Sequence, residues 1–563
     1  MSECTMSKQF HYDPVTIELI QSSLDAISDE MFATMRKTAV SSIIYEVLDF
    51  GVAITDRDGF LASSGAGIPG FVGMLDYGVR AIIKKFSPKG DIHPGDIFVA
   101  NIPHFGGVSH MNDVVLILPV FVDDTLIAWV ANKAHWADIG GMAPSSIHPD
   151  ATEVYQEGLQ LPEIKLFARG EPIASVMDII LINSRMPETA RGDLWAGVAS
   201  MRAGERRIQE LAAKYGAATV MHAIKCFLDY GEAVSRESLK RLPKGTFQAE
   251  DRLDDGRVLT AKVTITEDEF IVDLRGNPPQ DKGPFNSSFA STEVDSKVLF
   301  KAITSPGTPA NAGSFRPLKL ICDERSMFNA QYPAAMGLYY EVGIRALDII
   351  WKALASQLTD RLTAGHYASV CGTFIGGTHP DTGKRHVFIE PQLGGWGGAD
   401  GEDGDSAQYT ASHGDTFNCA VEVTEARNGV AIDRLELNDE VGGEGEYRGG
   451  KGIRLDYRIR GEDFWITAMY SRSKVAPWGL NGGHEGSLNY IQILRTDGSE
   501  ERYSSCAVLP LRRGDVVRIV TANGGGYGEP ALRPRERVLA DIKDGYITAQ
   551  TAKEVYGLDN LTK

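Results

Sequence analysis

The chain has 563 residues, with 57 Lys and Arg against 75 Asp and Glu, a formal net charge of -18 and a pI near 5.2. This length corresponds to about three or four domains of ~150 residues each, and the acidic balance argues against binding to a nucleic-acid backbone. Apolar stretches are too short for a membrane span, which needs roughly 20 residues. The six cysteines are widely spaced, which predicts free thiols. The N-terminus has no apolar signal segment, so we expect the protein in the cytoplasm.

Apolar spacing predicts the elements of the first half of the chain. Apolar residues at steps of three and four predict an amphipathic helix over 13–38. A β-hairpin is predicted around the turn at 56–59, a helix over 71–86 and further strands over 96–135. The stretch 172–240 is predicted to be mostly helical, because its pattern ends in Lys214 and Gly216 as helices commonly do.

The second half is richer in short strands and in glycine. One long helix is predicted at 340–358, a glycine-rich and mainly β region over 366–532, and two short helices at the end. We therefore expect an α+β fold whose multi-layer mixed α/β N-terminal part carries hairpins and a helical block. The predicted regions are 1–170, 171–243, 244–365, 366–532 and 533–563. The 60 glycines cluster between strand-like runs, which favours ordered tight turns over flexible linkers.

Five of the twelve histidines lie between His93 and His148. Within this segment, DVVLILPVF and LIAWVANKA are predicted to be the strands of a hairpin with its turn near 123–124. Directly opposed residues then have numbers that add to about 247, so Asp113 and His135 are expected to lie nearly opposite each other. A slip of one residue would place the two side chains on opposite faces of the sheet.

His110, three residues before Asp113, can fold back to supply a third group. Two imidazoles and one carboxylate, with further positions open, suit a catalytic transition metal better than a closed structural site. The alternative is that these histidines are hydrogen-bonded strand-end residues, a common role for histidine.

Other polar residues near this segment have two interpretations each. Asp49 is either turned to solvent or held in a pocket between its apolar neighbours, and Asp138 either orients His135 or caps the adjacent glycine turn. His104 and His148 are candidate hydrogen-bond partners of the ligands or contacts to substrate.

Nucleotide-binding motifs are weak in this sequence. There is no GxxxxGK[ST] phosphate loop, and the one GxGxxG, at 65–70, contains Pro69 and follows a hairpin strand rather than opening a βαβ unit. GxSxG is absent as well. A nucleotide that the reaction requires is therefore expected on another chain.

Several motifs occur in a fixed order along the chain. They are DFGVAITDRDG (49–59), NIPHFGGVSHMND (101–113), AHWADIGG (134–141), YQEGLQLPEIKL (155–166), NAGSFRPLKL (311–320), and the glycine-rich GGWGGADGEDG, GGEGEYRGGKG, PWGLNGG and ANGGGYGEP. Together they resemble the B-type subunit of ATP-dependent hydantoinases and 5-oxoprolinases, a group that also includes caprolactamase and subunits of acetone and acetophenone carboxylases.

The resemblance implies a metal-containing subunit of an ATP-dependent cyclic-amide hydrolase. His110, Asp113 and His135 match the family's metal ligands, and Asp49 matches an acidic residue near the metal that serves as a base or a further ligand. Zinc is the first expectation for the divalent ion, with manganese and iron as alternatives. The implied partner is a hydantoinase A-type subunit with ATP and Mg, in an assembly of α2β2 type.

In the implied reaction, the partner phosphorylates the lactam or imide oxygen, and a metal-activated water then attacks the activated ring. Gly51 and Ile102 depart from the family's usual Ser and Asp, which leaves the substrate ring open. Two other functions remain: a subunit of an acetone-type carboxylase, and a non-catalytic scaffold that completes the partner's site.

Overall fold

The structure is a computed structural model that describes residues 13–105, 107–414 and 416–558. Within these residues no helix combines the length and apolarity that a bilayer span requires. The five described cysteines are free thiols, whereas Cys4 and the N-terminal segment expected to lack a signal lie outside the described residues. The helices are α1 (Pro14–Thr38), α2 (Ser42–Tyr45), α3 (Pro69–Val72), α4 (Leu75–Phe86), α5 (Ala174–Asn183), α6 (Pro187–Tyr215), α7 (Ala217–Arg241), α8 (Phe289–Thr304), α9 (Tyr339–Ala355), α10 (Val421–Arg427), α11 (Arg535–Lys543) and α12 (Ala549–Glu554).

The first sheet is antiparallel throughout and holds seven strands. They are β1 (Phe50–Asp56), β2 (Leu61–Gly67), β3 (Ile97–Ala100), β4 (Asp113–Val122), β5 (Thr125–His135), β6 (Ile164–Ala168) and β7 (Glu171–Pro172). Their spatial order is β2-β1-β5-β4-β3-β6-β7, so β5 is a central strand between β1 and β4.

Both faces of this sheet are covered. Even-numbered residues of β4, such as Leu116, pack with α6 in an apolar core that also contains α1, whereas odd-numbered residues, such as Ile117, pack with α4. This burial on both faces explains why β4 reads as a continuous apolar run in the sequence. Helix α1 begins as its sequence predicts, because the Asp13 side chain accepts the backbone N–H of Thr16 and Pro14 occupies the first turn.

The remaining strands form three smaller sheets. A four-stranded sheet packs with α8 and α9, and two further sheets enclose a separate apolar core. The first of these contains β8 (Gly245–Arg252), β9 (Val258–Ile265), β10 (Phe270–Asp273) and β11 (Leu318–Ile321). The other two contain β12 (Thr373–Thr378), β13 (Arg385–Glu390), β14 (Val430–Leu437), β15 (Ile453–Ile459), β16 (Phe464–Met469), β17 (Tyr490–Leu494), β18 (Glu500–Tyr503), β19 (Ser505–Leu511) and β20 (Val516–Val520). Their orders are β13-β12-β16-β19 and β14-β15-β20-β17-β18.

The glycine-rich segments are ordered and pack backbone against backbone. Gly524 donates its N–H to the carbonyl of Gly450 at 3.0 Å, and a Cβ on Gly524 would lie 2.1 Å from the carbonyl oxygen of Trp396. No side chain fits at such an approach, so glycine is required there. The expected α+β fold, with helices and hairpins first and a glycine-rich β region later, is confirmed.

Candidate metal centre

The β4–β5 hairpin places Asp113 directly opposite His135. Next to the turn, the numbers of paired residues add to 247, as the sequence predicts. A register shift between Val120 and Phe121 leaves Ile127 as an extra residue, and beyond it the numbers add to 248. This β-bulge therefore brings Asp113 and His135 into one pair on the same face of the sheet.

His110 lies in the turn that leads into β4 and completes the group. Its carbonyl accepts the N–H of Asp113 at 3.1 Å, and its Nε2 lies 3.2 Å from Oδ1 of Asp113. One ligand atom from each of His110, Asp113 and His135 lies within 4.8 Å of the others, and all three residues are buried. The structure thus brings together the three predicted ligands.

The three residues fit a divalent cation by their chemistry. Within the described part of the chain, Oδ1 of Asp113 and Nδ1 of His135 are buried and make no hydrogen bond. Leaving such atoms unpaired in a protein interior costs free energy, which a bound cation would offset. Two imidazole nitrogens and a carboxylate oxygen suit zinc, manganese or iron.

The charge states of these groups also suit metal binding. Burial, followed by the neighbouring His110, lowers the pKa of His135 to about 3, so its imidazole is neutral at pH 7. Burial raises the pKa of Asp113, but His110 and Lys133 outweigh it and hold the pKa below its usual range. A neutral imidazole and an ionised carboxylate are the forms that coordinate metals.

Lys133 and Ser109 anchor the other oxygen of the Asp113 carboxylate. The Lys133 ammonium donates to Ser109 Oγ at 2.7 Å, and that hydroxyl donates in turn to Oδ2 of Asp113. Lys133 Nζ also lies 3.7 Å from Oδ2 and 3.7 Å from the ring centroid of Phe71. Because Oδ2 is held in this way, Oδ1 is left facing His110.

His110 is oriented from a distant part of the chain. Its Nδ1 lies 3.2 Å from the carbonyl of Gly337, which can only accept, so Nδ1 carries the proton and Nε2 is free to bind a metal. The carboxylate of Glu157 accepts the backbone N–H groups of Met336 and Gly337 and so holds that carbonyl in place. Burial raises the pKa of Glu157 to about 7. Glu157 lies within the YQEGL motif, but nothing in the local sequence indicates this role.

Asp49 lies in the same row across the sheet. It directly precedes β1, where Phe50 pairs with Ala134, and its carbonyl accepts the N–H of His135 at 3.1 Å. Its Oδ1 is buried without a hydrogen-bond partner among the described residues. Burial and the nearby Asp113 raise the pKa of Asp49 well above its usual value. Of the two alternatives for Asp49, the structure shows the pocket.

A cavity of about 30 Å³ opens between Asp49, His110 and His135, which is room for one or two water-sized species. Its lining residues are Asp49, Phe71, His110, His135, Tyr339, Tyr340, Val370, Gly372, Phe374, Ile389, Pro391 and His413. His413 was not predicted, because it comes from the glycine-rich half of the chain and no local motif indicates it. Burial lowers the pKa of His413 to about 4, so it faces the cavity as a neutral group.

The three residues expected around the ligands lie elsewhere. His104 packs edge-on against Tyr332 with ring centroids 5.3 Å apart. Asp138 accepts backbone N–H groups of its own loop and pairs with Arg185 at 2.9 Å, which matches the turn-capping alternative. Nδ1 of His148 accepts the backbone N–H two residues further on. None of the three belongs to the described lining of the cavity.

Comparisons with known proteins give close relatives along the whole chain. An uncharacterized protein of Methanocaldococcus jannaschii is 34% identical over 98% of this chain and 97% of its own length. Caprolactamase subunit beta of Pseudomonas jessenii is 29% identical over 97% of this chain and 96% of its own length. The crystal structure of ATP-dependent caprolactamase from Pseudomonas jessenii superposes with a TM-score of 0.90 at 28% identity, over 98% of both chains.

A more distant protein shares the fold. A nucleotide-free acetone carboxylase structure superposes with a TM-score of 0.89 at 18% identity, over 97% of this chain and 79% of the other. The family model described as Hydantoinase B/oxoprolinase matches residues 13–530. The chain therefore belongs to the hydantoinase B/oxoprolinase family, as its motifs predict.

Proposed function

We propose that this chain is the metal-holding subunit of an ATP-dependent cyclic-amide hydrolase of hydantoinase, oxoprolinase or lactamase type. The observation that carries the proposal is the buried group of His110, Asp113 and His135, with Asp49 beside it on a small cavity. The relatives named caprolactamase, in a family described by hydantoinase and oxoprolinase, support an amide ring as substrate.

His110, Asp113 and His135 would hold a divalent ion, with zinc as the first candidate and manganese or iron as alternatives. Such an ion supplies Lewis acidity that lowers the pKa of water from about 15.7 to about 7. Asp49 would take the proton that the attacking water loses, because its free Oδ1 borders the same cavity. Lys133 and Ser109 would keep the Asp113 carboxylate fixed during this step.

An activation step on a partner subunit explains the need for ATP. An unstrained amide carbonyl is a poor electrophile, and phosphorylation of its oxygen creates a good leaving group. This sequence carries no phosphate-loop motif for ATP. We therefore assign ATP and Mg to a hydantoinase A-type partner in an α2β2 assembly, and we place the complex in the cytoplasm. The subunit name of the caprolactamase relative supports a partner chain.

A substrate screen tests this function. The chain is co-purified with its natural partner, and ATP turnover is measured with hydantoins, 5-oxoproline, larger lactams and ketones. We expect ring opening to accompany ATP hydrolysis with one class of cyclic amide. ATP turnover that requires a ketone and bicarbonate, and that no cyclic amide supports, would contradict the proposal and identify a carboxylase.

A further inference from the structure

A second, much larger cavity lies beside the metal centre. It has a volume of about 660 Å³ and is bounded by α2, the start of α6, the turn that leads into β13, and the end of α10. A smaller cavity of about 190 Å³ adjoins it, and the two share Arg185, Arg385 and His386 in their walls. We call the larger one the basic groove.

The basic groove is positive although the whole chain carries a formal charge of -18. Arg185, Lys384, Arg385 and Arg427 line it against a single carboxylate, Glu188. Arg185 is paired with the carboxylate of a neighbouring loop at 2.9 Å. Within the described part of the chain, the other three cations make no ion pair within 4.0 Å. Unpaired cations around a concave surface attract and retain anions.

Arg427 presents a fixed guanidinium group to the basic groove. Arg427 is held by a hydrogen bond of 2.6 Å to the hydroxyl of Tyr45, and its guanidinium lies 5.4 Å from that ring's centroid. A guanidinium offers several N–H donors in one plane, which match phosphate oxygens. The 29-residue helix α6 begins in the same wall, at Pro187, without a side-chain cap, so its positive end adds to the field of the cations.

The basic groove borders the metal centre. Ile389 forms part of the wall of both cavities. Ile43, another wall residue of the groove, accepts the backbone N–H of Asp49 through its carbonyl at 2.9 Å. The groove and the metal cavity therefore share a wall.

We infer that the basic groove binds the phosphate group of a small anionic molecule beside the metal cavity. This inference rests on the function proposed above, in which the phosphate belongs to the activated ring or is released from it. Lys384, Arg385 and Arg427 contact the phosphate, and the ring faces the wall shared with the metal cavity.

Calorimetric titration of inorganic phosphate into the full-length chain tests the inference. The test variant is the double substitution Lys384→Gln/Arg385→Gln, and the matched control is Arg513→Gln/Lys543→Gln, which removes two other exposed cations outside the groove. We expect the test variant to bind phosphate at least about tenfold more weakly than wild type. The control variant should bind like wild type, and all three proteins should hold the same amount of metal.

Equal phosphate affinity in the test variant and wild type, or no phosphate binding by wild type, would overturn the inference. Either result leaves the proposed function intact if the complex still opens a cyclic amide. Conversely, groove-dependent phosphate binding in a complex that opens no ring would contradict the proposed function alone.

In an active complex, slower ring opening in the test variant assigns the groove to the activated ring. Unchanged ring opening with weaker inhibition by phosphate assigns it to the released phosphate.

Discussion

Asp113 and His135 face each other across the β4–β5 hairpin because one extra residue, Ile127, interrupts the ladder between them and the turn. Without this bulge the register next to the turn would continue, and the two side chains would not form one pair. The ligand group is thus built into the backbone of a central strand pair, which holds it more rigidly than a surface loop would.

Substitution of Asp113 by Asn tests the carboxylate ligand with little change of shape. We expect the affinity for the divalent ion to fall by at least about 100-fold, since even hydrogen-bond partners of ligands typically contribute 10–100-fold. The measurement is competition with a chelator of known affinity. Asp193→Asn is the matched control, because Asp193 is also buried and accepts backbone N–H groups, but from Val40 and Ser41. An unchanged affinity in Asp113→Asn would remove Asp113 from the site.

Lys133→Met tests whether the ammonium positions Asp113. The substitution keeps the length of the side chain but leaves Ser109 without its donor, so metal affinity should fall by about 10–100-fold. Lys297→Met is the control, because Lys297 is a similarly buried lysine that pairs with Glu293 at 2.9 Å. Both variants should lose thermal stability, but only the first should lose metal affinity. Equal metal affinities in the two variants would show that Lys133 is only structural.

The Asp49→Asn variant distinguishes whether Asp49 acts as a proton acceptor or as a metal ligand. If Asp49 accepts the proton, the variant retains its metal while turnover falls by about 10²–10⁴-fold. Metal content and ring-opening rate are measured on the same preparation of the complex. Loss of the metal would make Asp49 a further ligand, and full activity with full metal content would give it neither role.

Asp251 belongs to a buried ionic cluster outside the lining of the metal cavity, where it contacts the guanidinium groups of Arg345 and Arg472. Burial raises its pKa, but the two arginines outweigh this and lower the pKa overall. Its contribution to stability is therefore present above the unfolded pKa of about 3.9 and is lost as pH falls through the lower folded pKa. Asp251→Asn should cost about 3–5 kcal/mol at pH 7, because it leaves the two buried guanidinium groups with only the carboxylate of Asp348 between them.

Calorimetric melting of Asp251→Asn and wild type at several pH values checks this. The difference in melting temperature should be largest at neutral pH and should shrink once the pH falls below about 4. A difference in melting temperature that grows on acidification would contradict the expected direction of the pH dependence.

The contribution of Asp295 to folding stability depends on pH in the opposite direction. Burial alone raises its pKa to about 8. Between the unfolded pKa of about 3.9 and this value, the unfolded chain ionises while the folded chain stays protonated, so Asp295 lowers stability as pH rises. Asp295→Asn should therefore gain melting temperature relative to wild type between pH 5 and pH 8. The exposed Asp150→Asn serves as control and should show no such trend.

Helices and strands that depend mainly on local sequence patterns can be predicted well. The apolar period of α1 and the β-branched, aromatic runs on either side of the turn in the β4–β5 hairpin predict the correct structures, and the hairpin places Asp113 and His135 together. The bulge at Ile127 could not be predicted, because nothing in the letters marks which strand carries the extra residue.

The parts of the candidate site that depend on contacts between distant residues could not be predicted from the sequence. Glu157, Gly337 and His110 meet across some 180 to 227 residues of chain, and His413 arrives from a different sheet region. Such contacts depend on tertiary packing, which periodicity does not encode. Asp49 is indicated by resemblance rather than by its neighbours, since apolar residues on both sides allow both an orientation towards solvent, the commoner outcome, and a pocket.

Metal analysis of the purified complex, with ring opening measured on the same sample, tests the central claim most directly. Wild type and His93→Ala, a control histidine that lies outside the cavity lining, should each hold one divalent ion per chain and open the ring at equal rates. His110→Ala should lose both the ion and ring opening. Full metal content and full activity in His110→Ala would contradict the account.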